Sequence, residues 1–198
     1  MADETQDEQE LRQQLCNTTY QLWARQVFSG AGGLVTVKVN RRRYLVTPSG
    51  RRRASLQPGD VLAVDMGGLS LTPTERGLDE TTWAPHRLAY QADRSGLTVG
   101  FSDKHEVKAT VLAAPPYVMA LLRLKPEDDT LQLTDGAAVP VLDATDEAGV
   151  RTAFEKLPAV VLSRRTVMCA GNSLDDAANA MERIEHAAMI EVLCLRGG

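Results

Sequence analysis

Two short turns contain the residue types in this sequence that are best suited to hold an anion. They are SGAGG at residues 29–33 and TPSG at residues 47–50. Glycine allows backbone geometries that other residues resist, so successive amide groups can line an anion-binding concavity. The hydroxyl groups of Ser29, Thr47 and Ser49 add hydrogen-bond donors without adding a negative charge. The alternative interpretation is that both segments are ordinary tight turns, which the fold needs whether or not a ligand binds.

Arginines cluster on both sides of the second turn, at residues 41–43 and 51–53. They create a local basic patch on a chain whose formal net charge is -4. The alternative is that these arginines are solvated hairpin ends. The acidic balance of the whole chain argues against a general nucleic-acid or membrane binder, because such partners favour a basic excess. We therefore expect neither nucleic acid nor membrane as a partner, and a small anionic ligand at most.

The apolar pattern predicts the helices and strands that position the two turns. Apolar residues at steps of three and four predict a helix over residues 7–27. Alternation after the glycine turn predicts a strand over 34–39, with a hairpin partner over 44–47. A helix over 80–94 tolerates Pro85 only near its first turn. We predict further strands over 61–64, 97–101, 107–112, 138–142, 160–162 and 166–170, and further helices over 116–122, 147–157 and 173–195, with a loop around Asp128 and Asp129.

The order of these elements predicts an α/β fold in which a central, mainly antiparallel sheet is flanked by helices. With 198 residues, 43% of them hydrophobic, the chain is long enough for one buried core. We expect a single domain over residues 1–198. The last helix carries a continuous apolar stripe from Leu174 to Leu195, which is suited to a core or to an interface.

The cysteines and the apolar segments favour a cytoplasmic protein. Cys16, Cys169 and Cys194 are odd in number and far apart, so neither a disulfide framework nor a CxxC motif is present. Cys169 lies in an apolar strand and is most simply a small buried residue. The acidic N-terminus does not resemble a signal peptide. The most apolar segment, residues 111–122, is too short to span a membrane.

Five segments, in this order, resemble the class II aldolase and adducin head-domain family. They are SGAGGLVTVKV at 29–39, LVTPSG at 45–50, HRLAYQ at 86–91, PYVMAL at 116–121 and AGNSLDDAANAMERIE at 170–185. The resemblance implies a three-layer fold and an ancestry among enzymes that cleave or epimerise sugar phosphates. It also implies that the first two segments correspond to the turns that cradle the substrate phosphate in family enzymes.

The catalytic half of the family's pattern is missing. Family enzymes bind zinc with three histidines, and the matching positions here are Leu112, Ala114 and Arg165. Zinc needs nitrogen, sulfur or carboxylate donors, which none of these side chains supplies. The family's acid-base glutamate matches Thr82, although a small shift in alignment would place Glu80 there. We therefore expect a degenerate member with no metal and no other cofactor.

The three histidines of the chain are less favoured as a relocated metal site. His86, His105 and His186 are scattered along the sequence. Scattered histidines are more often surface or core-edge residues than metal ligands.

These features favour a non-catalytic, pseudoenzyme-like member that acts as an anion-binding or assembly module, for which we assign no catalytic residue. The alternative is a metal-independent lyase or epimerase acting on a phosphorylated or acidic sugar. Such an enzyme would use Arg164 or Arg165 in place of the zinc ion of family enzymes. A guanidinium stabilises an oxyanion by its charge and by paired hydrogen bonds. The predicted anion-binding residues are Ser29, Gly30, Gly33, Thr47, Ser49, Gly50 and Arg165.

The family resemblance also predicts self-association, with a tetramer as the expected homo-oligomer and the sites near subunit interfaces. Sedimentation at micromolar concentration should give a mass of several chains. A mass of one chain across that concentration range would contradict the expectation.

Overall fold

The computed structural model describes residues 2–71, 77–94 and 106–197, and eight strands of this part form one sheet. The strands lie in the order β3-β2-β1-β4-β8-β7-β6-β5. Every neighbouring pair is antiparallel except β6 with β7, which confirms the expected mainly antiparallel sheet. The strands are β1 (Leu34–Asn40), β2 (Arg43–Val46), β3 (Leu62–Val64), β4 (Ala109–Ala113), β5 (Thr130–Gln132), β6 (Ala138–Leu142), β7 (Ala159–Leu162) and β8 (Thr166–Gly171).

Helices cover both faces of the sheet, which confirms the expected three layers. Alternate residues of each strand point to opposite faces, so the two faces build separate apolar clusters. One cluster joins the sheet to α1, α3 and α5, and the other joins it to α2 and α4. The helices are α1 (Ala2–Ala24), α2 (Glu80–Gln91), α3 (Pro116–Leu124), α4 (Glu147–Lys156) and α5 (Leu174–Gly197).

The apolar stripe on α5 belongs to the core of the chain. The apolar residues of the stripe are buried from Leu174 to Val192, whereas Leu195 at its end is exposed. None of the helices in the described ranges is long and apolar enough to cross a membrane.

Three details differ from the sequence-based expectations. The three-residue strand β5 was not predicted. It lies at the edge of the sheet and is too short for an alternation of apolar and polar residues to be recognised. Pro85 lies in the second turn of α2, where it removes a hydrogen-bond donor from the helix interior. The strand predicted over 97–101 lies outside the described residues.

A buried polar cluster lies between α2 and the sheet. Thr36 of β1 and Thr110 of β4 have fully buried hydroxyl groups 2.5 Å apart. The Tyr90 hydroxyl lies 2.6 Å from that of Thr36, and His86 Nδ1 lies 2.6 Å from that of Thr110. The ring of His86 stacks on Trp83 with 13° between the planes. The cluster ties α2 to the centre of the sheet.

Burial keeps His86 neutral in the folded chain. Desolvation lowers its pKa from 6.5 to about 3, and Nε2 has no hydrogen-bond partner among the described residues. The unfolded chain binds a proton below pH 6.5, and the folded chain does not do so until about pH 3. The stability contributed by neutral His86 is therefore complete above pH 6.5 and is lost as pH falls toward 3.

We predict that His86→Gln removes this part of the acid sensitivity. Between pH 6 and pH 4, the free energy of unfolding of the unsubstituted chain should fall more steeply than that of the variant, by about 1.4 kcal/mol per pH unit. Urea unfolding at several pH values measures both slopes. Parallel curves for the two proteins would show that His86 is not held neutral.

Candidate functional site

The strand order brings four corners of the chain to one edge of the sheet. Leu34 at the start of β1 pairs with Leu112 near the end of β4, and Ala113 pairs with Val167 near the start of β8. Val46 at the end of β2 pairs with Thr36 in the first half of β1. The segments before β1, after β2, after β4 and before β8 therefore share this edge, which we call the site edge.

The TPSG turn follows β2 at the site edge and is joined to the start of β1. The hydroxyl oxygen of Thr47 accepts a hydrogen bond of 3.1 Å from the Val35 amide, and the Thr47 amide donates to the Val35 carbonyl at 3.0 Å. Thr47 is fully buried, so its hydroxyl group belongs to the construction of the turn. Ser49 and Gly50 are exposed at its tip.

The glycine turn precedes β1 at the same edge and has the backbone geometry that glycine permits. Gly30 and Gly33 have φ angles of 59° and 80°. A Cβ at Gly33 would lie 2.2 Å from the ring of Phe28, so this position also lacks space for a side chain. The Gly32 amide donates to the Ser29 carbonyl at 2.8 Å, which closes the turn.

Arg53 joins the two turns from inside the protein. Its Nε donates to the Gly32 carbonyl at 3.1 Å, and its two terminal nitrogens donate to the carbonyls of Pro48, at 2.9 Å, and Gly33. Its backbone amide donates to the Gly30 carbonyl at 3.1 Å. Only 2% of the Arg53 surface is exposed. Sequence reasoning missed this role, because nothing in the run Arg51–Arg53 marks one arginine as buried.

The charge of Arg53 has no acidic counterpart among the described residues. Its neighbours are neutral carbonyls, whereas Arg51 lies 3.7 Å from Asp60 and Arg52 is exposed. Burial lowers the pKa of Arg53 to about 10, so the guanidinium remains charged at neutral pH.

Six backbone amides in the two turns have no hydrogen-bond partner in the described part of the chain, namely those of Ser29, Gly30, Ala31, Gly33, Ser49 and Gly50. The amides of Ala31, Gly33 and Ser49 directly follow the carbonyls of Gly30, Gly32 and Pro48, which Arg53 binds. Exposed donors in a glycine-rich turn are the groups that hold phosphate and similar anions in proteins. The two turns therefore place backbone donors at one edge of the sheet, whereas the Thr47 hydroxyl group, which was expected to serve a ligand, is bonded to the Val35 amide.

Arg165 lies at the site edge but away from the two turns. It follows a tight β7–β8 turn in which Ser163 and Arg164 have positive φ angles and the Arg165 amide donates to Leu162. Three strand steps separate β2 from β8, which corresponds to roughly 14 Å. Arg165 is exposed. Arg164, the other arginine considered for this role, donates to carbonyls at the end of α3 and in the loop beyond it.

Comparison with known proteins decides the family. The sequence profile described as Class II Aldolase and Adducin N-terminal domain matches residues 13–192. The chain belongs to this family. Proteins named "Probable methylthioribulose-1-phosphate dehydratase" from Drosophila willistoni and Drosophila melanogaster are 32% and 34% identical to it over 102 residues, which make up 50% of this chain. The match covers 42% and 43% of those relatives, so the chain spans less than half the length of the curated proteins it matches.

Solved structures of class II aldolases share the fold. L-fuculose 1-phosphate aldolase from Glaciozyma antarctica superposes with a TM-score of 0.76 at 19% identity, covering 100% of this chain and 78% of that one. The L-fuculose-1-phosphate aldolase from Thermus thermophilus gives 0.71 at 21% identity, covering 96% and 99%. A sugar-phosphate aldolase from Thermotoga maritima gives 0.69 at 16% identity, covering 96% of each chain.

The residues that the sequence resemblance matches to the family's zinc histidines do not fit the metal. Leu112 is half-buried against the α2 and α4 layer, Ala114 is exposed just beyond β4, and Arg165 carries a positive charge. Within the described ranges, no group of three or more His, Cys, Asp or Glu residues could hold a metal ion. His86 bonds to Thr110 inside the core, His186 is exposed on α5, and His105 lies outside the described residues.

The carboxylates near the family's acid-base position are already engaged. Thr82 donates from both its amide and its hydroxyl group to Asp79, the residue that caps α2, at 2.9 Å each. A hydrogen bond from the Thr81 hydroxyl group, together with the two bonds from Thr82, lowers the pKa of Asp79. Glu80 pairs with Arg87 at 2.6 Å. Asp79 and Ser49 line the same open pocket of about 670 Å³.

We predict that the purified chain contains far less than one zinc per molecule, whereas a variant with Leu112→His, Ala114→His and Arg165→His gains about one. The three positions lie at one sheet edge, and imidazole supplies the donors that the present side chains lack. Elemental analysis of both proteins, prepared without chelator, measures the difference. Stoichiometric zinc in the unsubstituted chain would show that another set of ligands exists.

Proposed function

We propose that this chain is a class II aldolase-family protein that binds a phosphorylated small molecule at the glycine and TPSG turns without zinc-dependent chemistry. The observation that carries the proposal is that both turns place unpaired backbone amides, among them those of Ala31, Gly33 and Ser49, at one sheet edge beside a buried cation. The names of its relatives favour a sugar phosphate as the ligand class.

The replaced zinc positions support binding rather than aldol cleavage. In metal-dependent catalysis the cation stabilises the negative charge that develops on oxygen, which contributes several kcal/mol to lowering the barrier. Leu112 and Ala114 offer no metal ligand and no charge. A ligand held at the two turns would keep its phosphate contacts and lack this stabilisation.

The alternative, a metal-independent lyase or epimerase, requires a positioned base. Glu80 is held by Arg87. Asp79 lies beside Ser49, but its lowered pKa makes it a weak proton acceptor. Glu80 is engaged in an ion pair and Asp79 has a lowered pKa, so binding without turnover is the preferred proposal.

Ser49 gives the first test of the binding site. We predict that inorganic phosphate and sugar phosphates bind the unsubstituted chain with an affinity that weakens as salt rises, and that Ser49→Ala weakens phosphate binding by about three- to tenfold. The loss reflects one hydroxyl donor at the tip of the turn. Isothermal calorimetry in low salt measures both effects.

Ser55→Ala is the matched control, because Ser55 is an exposed serine in the short helical turn that follows. Its affinity should equal that of the unsubstituted chain. Arg165→Ala should weaken binding in low salt and have little effect at physiological salt, because roughly 14 Å exceeds the screening length there. No response of the unsubstituted chain to millimolar phosphate, sulfate or sugar phosphate would refute the proposed function.

A further inference from the structure

We propose that Arg53 is the positioning residue of this anion site, which fixes the two turns in one arrangement and supplies the positive charge behind them. The inference rests on the proposed function and assigns a role to a residue that the family resemblance leaves without one. It also moves the main source of positive charge from Arg165 to Arg53.

The hydrogen bonds of Arg53 determine where three of the unpaired amides of the turns point. In a trans peptide unit, the carbonyl of one residue and the amide of the next point in opposite directions. Arg53 binds the carbonyls of Gly30, Gly32 and Pro48. The amides of Ala31, Gly33 and Ser49, which follow those carbonyls, must therefore face away from Arg53.

The hydrogen bonds of Arg53 also hold the amide donors of two separate segments in one fixed arrangement. Ala31 and Gly33 precede β1, whereas Ser49 follows β2, and the guanidinium of Arg53 binds carbonyls of both turns. A planar guanidinium with several fixed donors suits this task better than the single ammonium group of lysine.

The charge of Arg53 favours an anion on the outer side of the turns. Carbonyl groups satisfy its hydrogen-bond donors but leave its net charge in place, and none of the described carboxylates forms an ion pair with it. A buried charge acts through a medium of lower polarity than water, so its attraction for a nearby anion is screened less than that of an exposed arginine. Phosphate, which carries one or two negative charges at neutral pH, is the matching ligand chemistry.

The experiment compares Arg53→Met with Arg52→Met. Both substitutions remove one positive charge from the same segment, but Arg52 is exposed. Titration with inorganic phosphate, followed by amide resonances in two-dimensional NMR, measures affinity and identifies the amides that respond. We expect Arg53→Met to weaken phosphate binding roughly ten- to a hundredfold, because it removes both the positive charge behind the turns and the hydrogen bonds that orient their amides, and Arg52→Met to change it by less than about twofold.

Arg53→Lys keeps the charge without the three-way contact, so its affinity should lie between those of the unsubstituted chain and Arg53→Met. If Arg53→Met does not fold, Arg53→Lys and the unsubstituted chain carry the test. In the unsubstituted chain, the amide resonances of Ala31, Gly33 and Ser49 should shift when phosphate is added. Equal losses in Arg53→Met and Arg52→Met, or responding amides elsewhere, would overturn the role of Arg53 while leaving anion binding intact. Absence of binding to the unsubstituted chain would overturn both proposals.

Discussion

The order of strands β2-β1-β4-β8 is the constraint on which the candidate site depends. Antiparallel neighbours run in opposite directions, so β1 and β8 begin at the edge where β2 and β4 end. Backbone pairing alone therefore brings four segments to that edge, namely the two turns, the end of β4 and the β7–β8 turn. This pairing holds the four segments together whichever side chains occupy positions 112, 114 and 165.

Burying the charged Arg53 side chain beneath this edge costs free energy, which the surrounding groups must offset. Transferring a cation from water into a protein carries a desolvation penalty, which lowers the pKa of Arg53. Four hydrogen bonds to carbonyl groups, one of them from its backbone, satisfy most of its donors, but they do not neutralise it. An anion bound to the opposite side of the turns would offset part of the remaining cost. Under the proposed function, stability and ligand binding would therefore be coupled at this residue.

The fold and the positions of the two turns could be predicted from the sequence, whereas the burial of individual side chains could not. Periodicity located the helices and most strands, because each element buries one face. The short strand β5 was missed, since its position is set by pairing with β6. Three consecutive arginines look alike in a sequence, and only the packing of the glycine turn against Arg53 separates it from Arg51 and Arg52. Thr47 was assigned to a ligand, whereas its hydroxyl bonds to Val35.

The persistence of the glycine and TPSG turns is not by itself evidence for a ligand. Gly33 is required by its backbone geometry and by the ring of Phe28, and Thr47 is required to join β2 to β1. A fold without any ligand would keep both residues. Arg53 also has a structural part, because an apolar side chain in its place would leave the carbonyls of Gly32, Gly33 and Pro48 without a hydrogen-bond partner. What a fold without a ligand does not need is the net positive charge of Arg53, because neutral donors could satisfy the same carbonyls at a smaller desolvation cost. That charge is the feature of this edge for which the proposed anion site would account.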